Sequence, residues 1–250
     1  MPVLVVTGAS RGIGAATARL AALSSWDVVV NFVSAPAAAE AVVADVEAAG
    51  RRAVAVRGDV AEAADVEQIF AAADALGTLG GLVNNAGIVD HPARVDEMSA
   101  QRIARMLAVN VTGSFLCAGA AVRRMSRRHG GQGGAIVNVA STASKIGSPS
   151  QYVDYAAAKG AIDSFTIGLA LEVAGEGIRV NAVRPGITDT DIHASGGEPD
   201  RVERLGPGLP LGRAASADEV AKAILWLLSE EASYCAGSIL AVSGARALVP

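Results

Sequence analysis

Thr7-Gly8-Ala9-Ser10-Arg11-Gly12-Ile13-Gly14 is the stretch that decides the fold. It follows the apolar run Val3-Leu4-Val5-Val6 and opens an Ala-rich segment, so it reads as the turn from a first strand into a first helix. Glycines at such a turn let the chain bend tightly and let a pyrophosphate approach the backbone. The unpaired N–H groups of the helix N-terminus then attract its negative charge. Gly8, Ser10, Arg11, Gly12, Ile13 and Gly14 are therefore the candidate phosphate cradle. A Gly-rich turn can also serve no ligand at all; its place between first strand and first helix favours the ligand.

Outward from that turn, β-rich apolar runs alternate with helix-compatible sequence to the end of the chain. Strands are expected at residues 3–7, 28–32, 53–57, 81–84, 135–140, 178–183 and 238–242. This spacing gives βαβ crossovers and hence a Rossmann-type, doubly wound α/β fold, a seven-stranded, mostly parallel sheet with helices on both faces. An α/β unit of 250 residues is ordinary, and neither a composition shift nor an internal repeat divides the chain. Residues 1–250 are expected to form a single dinucleotide-binding and catalytic domain. With 51% hydrophobic and 18% charged residues, the chain has the material for a large core.

The composition also excludes several functions. No run of about 18 apolar residues occurs and the N-terminus lacks a basic leader, so a soluble cytoplasmic protein with no membrane role is expected. Cys117 and Cys235 fit neither a disulfide framework nor a zinc set, and His91, His129 and His193 have no metal-ligand spacing; no metal site is expected. Net charge is −4, and the basic run Arg123-Arg124-Met125-Ser126-Arg127-Arg128 precedes Gly130-Gly131. It reads as a helix C-terminus complementing the dipole, with no nucleic-acid partner.

Residues 188–212 are the most irregular part, broken by Gly196-Gly197, Pro199, Gly206-Pro207-Gly208 and Pro210. The segment follows a strand, at the sheet edge where open α/β folds bind ligands, and reads as a substrate-covering loop; a disordered loop is the alternative. After it, Ser216-Ala217-Asp218-Glu219 has the capping-box pattern, with Val220, Ile224, Leu227 and Leu228 at helical spacing.

The glycine spacing G-x-x-x-G-x-G resembles that of the short-chain dehydrogenase/reductase family. Further motifs follow in the family's order: Gly58-Asp59-Val60, Asn84-Asn85-Ala86-Gly87, Val109-Asn110-Val111-Thr112-Gly113, Ser141, Tyr155 with Lys159, and Arg184-Pro185-Gly186. The resemblance covers almost the whole chain and extends to 3-oxoacyl reductases and glucose 1-dehydrogenases. It implies that Asp59 and Val60 hold the adenine, that Asn84, Ala86 and Gly87 line the cofactor path, and that Pro185, Gly186, Ile187 and Thr188 meet the nicotinamide. For Asn84 and Asn85 the alternative is a polar turn that satisfies its own backbone.

Cofactor choice turns on the end of the second strand, where an acidic residue would favour NAD and a basic one NADP. Here Asn31, Phe32 and Ser34 offer no carboxylate, Asp27 precedes the strand, and Arg11 can reach toward a 2′-phosphate. NADP is expected, with NAD as the alternative. Many NADP-using relatives place a further arginine near Val33, and this chain does not.

Tyr155 and Lys159 stand at i and i+4 on a helix expected from about 151 to 174, so both project from one face. Hydride delivered to a carbonyl leaves an alkoxide that needs a proton, and a phenol with a pKa near about 10 is a poor donor or base until a nearby cation lowers it. The resemblance makes Tyr155 the acid/base and gives Lys159 a second task on the nicotinamide ribose. It has Ser141 polarise the substrate oxygen and Asn110 hold a proton-relaying water. Taken alone, Tyr155 could be a core tyrosine and Lys159 a solvated one; Tyr152 is a rival phenol, and Thr142 and Ser144 rival the serine.

The implied activity is reversible hydride transfer between NADP(H) and a small carbonyl or alcohol substrate, either an oxoacyl thioester or, with NAD, a sugar or polyol. The other class is a dinucleotide-sensing protein without chemistry, whose sign would be damage to the trio. A homotetramer is implied too, built on the small-residue helix of Tyr155 (Ala156, Ala157, Ala158, Gly160, Ala161, Gly168), the Phe115-to-Met125 helix and the last helix and strand. Ser243-Gly244-Ala245 departs from the two successive glycines that relatives often carry there.

Overall fold

The apolar runs become strands because a sheet covered on both faces buries every side chain of a strand, whichever way it points. In the computed structural model, which describes residues 1–246, these are β1 (Val3–Val6), β2 (Asp27–Phe32), β3 (Ala53–Arg57), β4 (Leu79–Asn84), β5 (Gly134–Val139), β6 (Ile178–Pro185) and β7 (Ile239–Val242). They form one sheet in the order β3-β2-β1-β4-β5-β6-β7. Every neighbouring pair is parallel, where the sequence promised mostly parallel.

Ten helices accompany the strands among the described residues: α1 (Gly12–Leu23), α2 (Pro36–Ala48), α3 (Ala63–Leu76), α4 (Ala100–Leu107), α5 (Gly113–Met125), α6 (Ala143–Ile146), α7 (Val153–Val173), α8 (Ile192–Ser195), α9 (Arg201–Leu205) and α10 (Ala217–Leu228). Strand side chains alternate between two cores. Leu4, Val6, Val28 and Val30 pack under α1, α2 and α10, whereas Val3, Val5 and Val29 pack under α3, α5 and the C-terminal half of α7. The continuous helical stretch Ala100–Met125 is long and apolar enough to cross a membrane by composition. Here it is a core element, with Cys117, Ala118, Ala120, Ala121 and Met125 buried against the sheet. A π-helical turn, Ala108–Thr112, joins α4 to α5 and carries Asn110.

Residues 188–212 are more ordered than their composition suggests. Gly and Pro limit helix length there without abolishing it, so α8, α9 and a 3-10 turn at Gly206–Gly208 fill the segment. Its base is closed by the pairing of Thr188 with Ala215, through Asp189 N–H to Ala215 O at 2.8 Å and Ala215 N–H to Ile187 O at 2.9 Å. The capping box beyond it forms as read: Ser216 Oγ accepts from Glu219 N–H at 3.2 Å and Glu219 Oε2 from Ser216 N–H at 2.8 Å.

β2 begins one residue earlier than its apolar run, at Asp27, which is 1% exposed. Burial opposes its charge, but the backbone N–H and guanidinium of Arg52 and the guanidinium of Arg51 prevail and hold the carboxyl at about 2. Such a depressed carboxyl stabilises the fold fully above about pH 4 and loses that effect as pH falls through about 2. Asp27→Asn is expected to lower the unfolding free energy by about 2 kcal/mol at pH 7, with the gap to wild type narrowing by pH 3. Urea unfolding at both pH values measures it; an undiminished gap at pH 3 contradicts the assignment.

Candidate active site

The chain reverses its order across the sheet between β1 and β4, because β2 and β3 extend one way from β1 and β4 to β7 the other. A crevice opens beyond the carboxyl ends of the strands at such a point. Two turns meet there. Thr7 Oγ1 accepts from Asn85 N–H and Ala86 N–H, both at 3.0 Å, while Asn85 Nδ2 donates to Thr7 O at 2.8 Å and Gly8 O at 3.0 Å. Gly8 has φ +61°, and a Cβ on it would lie 2.9 Å from Ala86 Cα. No side chain caps the N-terminus of α1, so its first amides face the crevice without a side-chain partner. This is the structural condition for a phosphate, and the residues present fit a dinucleotide.

Gly8, Ser10, Arg11, Gly12 and Ile13 line the resulting cavity of about 420 Å³. Gly14 does not; a Cβ there would collide with Asn85 Nδ2 and Gly8 O at 2.5 Å, so it serves the packing of α1 against the loop. Phe32, Ser34, Asp59 and Val60 also border the cavity. Asn31 reaches it too, but its amide is taken: Oδ1 accepts from Gly8 N–H at 3.1 Å and Nδ2 donates to Gly58 O at 2.9 Å. It fixes the loop to β3. Asp59 Oδ2 accepts from Arg105, another cavity residue, at 2.8 Å.

After β4 the expectation needs a correction. Ala86 and Gly87 line the cavity, but Asn84 is buried, donating to Ser114 O at 3.2 Å and Asn138 Oδ1 at 2.9 Å. As the last residue of β4 it points into the helix layer, and Asn85 faces the cavity in its stead. Asn110 is likewise beneath the cavity rather than on it. Its Nδ2 donates to Ile88 O at 3.0 Å and Met106 O at 3.1 Å and its Oδ1 accepts from Ile88 N–H at 3.3 Å, so both amide N–H groups are spent fastening Ile88 to α4, while Oδ1 keeps one lone pair.

Ser141, Tyr155 and Lys159 converge on the cavity, with Pro185, Gly186, Ile187 and Thr188 alongside. Ser141 Oγ accepts from Ala143 N–H at 3.1 Å and its hydroxyl lies beside the Tyr155 phenol, favouring the ionised form. Of its rivals, Ser144 donates to Ser141 O at 2.9 Å and lies outside the cavity lining, while Thr142 is buried in its wall. The rival phenol, Tyr152, donates to Glu198 Oε2 at 2.9 Å and ties down the loop at 188–212. Lys159 Nζ donates to Val139 O at 2.7 Å, which leaves two of its three N–H groups for a ligand.

Electrostatics here run against the sequence expectation. Burial pushes the Tyr155 phenol up to about 12 despite Ser141, and burial pulls the Lys159 ammonium down to about 8 despite Asp163. Lys159 Nζ sits 5.6 Å from the centre of the Tyr155 ring, over its face, and its charge does not outweigh the lost hydration. Sequence reading also missed Arg57. In the β2–β3 register it lies opposite Phe32, and its Nε donates to Val33 O at 3.2 Å, which puts an exposed cation beside the end of β2. Among the described residues, no group of three or more His, Cys, Asp or Glu side chains is placed to hold a metal.

A family model described as enoyl-(acyl carrier protein) reductase matches residues 8–244. An uncharacterized oxidoreductase of Escherichia coli, YgfF, is 50% identical over 98% of this chain and 100% of its own. The crystal structure of a 3-ketoacyl-(acyl-carrier-protein) reductase from Brucella melitensis complexed with NADH superposes with TM-score 0.91 at 32% identity, covering 99% of this chain and 98% of the other. A short-chain dehydrogenase from Burkholderia cenocepacia in complex with NADP gives 0.86 at 34%, over 97% and 96%. With the glycine cradle, the switch-point crevice and the Ser141-Tyr155-Lys159 cluster in place, these likenesses make the chain a member of the short-chain dehydrogenase/reductase family and an oxidoreductase.

Proposed function

We propose that the protein transfers hydride reversibly between NADP(H) and a carbonyl or alcohol substrate, with Tyr155 as general acid and base. The observation that carries this reading is the placement of Tyr155, Ser141 and Lys159 in the same cavity as an uncapped helix N-terminus. The cofactor, when bound, supplies the hydride and, oxidised, a positive ring. Ser141 holds the substrate oxygen and Tyr155 gives it a proton. Because burial keeps the phenol protonated at neutral pH, the acid is ready for reduction without further ionisation. Oxidation needs the phenolate, so its rate rises with pH. Lys159, anchored by Val139 O, directs its remaining N–H groups at the nicotinamide ribose and its charge at the phenol.

Arg57 bonds Val33 O at the end of β2, and Arg11 lines the cavity together with Phe32, Val33 and Ser34, none of which is acidic; these two cations favour the 2′-phosphate of NADP. The loop at 188–212, closed at its base and tied to Tyr152, covers the substrate. Free Cys117 and Cys235 suit the reducing cytoplasm. Phe115, 49% exposed, stacks on Phe165 with ring centres 3.8 Å apart, and Ile167 and Leu171 of α7 are exposed near the same helix pair. Such an apolar face on α5 and α7 supports pairing of copies into a homotetramer.

Tyr155→Phe should bind NADPH as wild type does, at least tenfold tighter than NADH, and lose turnover by at least about a thousandfold. Calorimetry with steady-state assays on a carbonyl panel measures both; retained turnover, or equal NADH binding, refutes the corresponding half. Lys145, Lys159 and Lys222 are the chain's lysines, so Lys159 is assignable by NMR after 13Cε labelling. In the protein without cofactor its midpoint is expected near 8, the charge being lost as pH rises through that value. A midpoint near 10.5 would mean that burial does not govern it. Sedimentation at micromolar concentration should find a tetramer, and Leu171→Glu should shift it to smaller species; a wild-type monomer overturns the pairing.

A further inference from the structure

The cavity has a second charged cluster, away from the glycine loop. His193, Arg201 and Arg246 line it with Tyr152. The Arg201 guanidinium lies 5.2 Å from the centre of the Tyr152 ring, and it is near enough to His193 and Arg246 for the positive charges to repel. His193 Nε2 is held 3.0 Å from Thr188 O, next to the nicotinamide segment of the motif.

The charges in this cluster do not cancel. Glu198 takes the Tyr152 hydroxyl and pairs with both Arg201 and Arg204, and Arg204 also approaches Asp200 at 3.6 Å. Arg201 is completed by Gln151 Oε1 at 3.0 Å. Two carboxylates therefore serve two arginines. Among the described residues the Arg246 side chain has no carboxylate and no hydrogen-bond acceptor; only its backbone N–H is bonded, to Ser243 O at 3.1 Å. It is half-buried, and lost hydration disfavours its charge. Asp191 borders the cavity as well, but is exposed on the rim.

The backbone is bent to bring this guanidinium in. After β7, Gly244 has φ +57° and Ala245 φ +68°, a left-handed conformation that strains any residue with a Cβ. This is the departure noted at Ser243-Gly244-Ala245. The turn folds the chain against Gly186, where a Cβ would meet Ser243 O at 2.9 Å, and delivers the next side chain into the cavity.

We propose that Arg246, backed by Arg201, anchors a carboxylate of the substrate, so that the protein acts on short oxo- or hydroxy-carboxylic acids. This rests on the oxidoreductase reading above. A guanidinium meets a carboxylate through two parallel hydrogen bonds, and a partly dehydrated, unpaired one gains most from doing so. Anchor and acid/base line the same cavity, whose glycine-loop end is assigned to the cofactor, so an acid that reaches both is short.

The test compares 4-oxopentanoate and 3-oxobutanoate with their amides under NADPH, and in parallel the binding of unreactive pentanoate and pentanamide to the NADP-loaded protein by calorimetry. Wild type is expected to favour acid over amide at least tenfold in kcat/KM and in affinity. Arg246→Met should remove that preference, and Arg246→Lys should restore part of it, with unchanged thermal melting showing that both variants fold. Equal binding of pentanoate and pentanamide to wild type overturns the proposal, whether or not any compound turns over. If amides and acids react equally well, the oxidoreductase reading stands and the carboxylate anchor falls. If pentanoate is preferred but none of the pairs reacts, the anchor stands and the reaction assigned to it is wrong. A loss of NADPH affinity in Arg246→Met with the acid preference intact assigns Arg246 to the cofactor and overturns the proposal too.

Discussion

Two backbone turns approach at the carboxyl ends of β1 and β4 until no side chain fits between them, and the site depends on that contact. Thr7 gathers the Asn85 and Ala86 amides, Asn85 returns two bonds to Thr7 and Gly8, and Gly8 comes so near Ala86 that a Cβ would sit 2.9 Å from its Cα. Parallel strands on either side of a switch point would otherwise splay their loops apart. Held together, the turns make a floor from which the N-terminus of α1 projects, and Asn31 extends the same fastening to β3. The candidate phosphate cradle is thus held from beneath by the paired groups of Thr7, Gly8 and Asn85, while the first amides of α1 stay without a side-chain cap.

The chemistry at the other end is set by burial. Burial moves the phenol up to about 12 and the ammonium down to about 8, so at neutral pH the phenol keeps its proton and the lysine still carries its charge in a dehydrated wall, close to the pH at which it gives that charge up. A charge appearing near them meets little competing solvent and acts strongly, as low-dielectric sites allow. Ser141, the one neighbour that favours the phenolate, lowers the barrier to ionisation without cancelling the effect of burial. The i,i+4 spacing of Tyr155 and Lys159 places the two side chains, and the sheet behind α7 supplies the dryness.

Much of this was legible in the sequence, for reasons that differ by residue. The strands could be read because both sheet faces are covered, which turns each into an apolar run; Asp27 was missed as the start of β2 since its charge is neutralised by Arg51 and Arg52 from the segment just before β3. Tyr155 and Lys159 were readable because a helix fixes which residues share a face. Asn84 and Asn85 were not separable, as the two differ only in which side of the sheet a strand end presents, and one residue of register decides it. Asn110 could be placed near Lys159 by its motif, but that its amide N–H groups go to Ile88 and Met106 depends on a π-helical turn that no periodicity reveals. Arg57 and Arg246 were invisible for one shared reason: each is placed by what its backbone pairs with or turns against, Arg57 beside the end of β2 and Arg246 in the cavity.

That last contrast explains why the cofactor end reads more clearly than the substrate end. The cofactor end is built from strand termini and the turns directly after them, whose positions follow from the sheet. The substrate end is built from side chains on one-turn helices and a strained C-terminal turn, joined across long sequence separations by Tyr152, Gln151, Glu198 and Arg201. Exchanging a few of those side chains changes what the cavity accepts and leaves the sheet untouched, so one scaffold can serve many substrates. In this chain those side chains include Arg246, set behind an alanine in a left-handed turn, and under the carboxylate anchor proposed above the charge of that arginine, more than the fold, discriminates among the molecules the site takes.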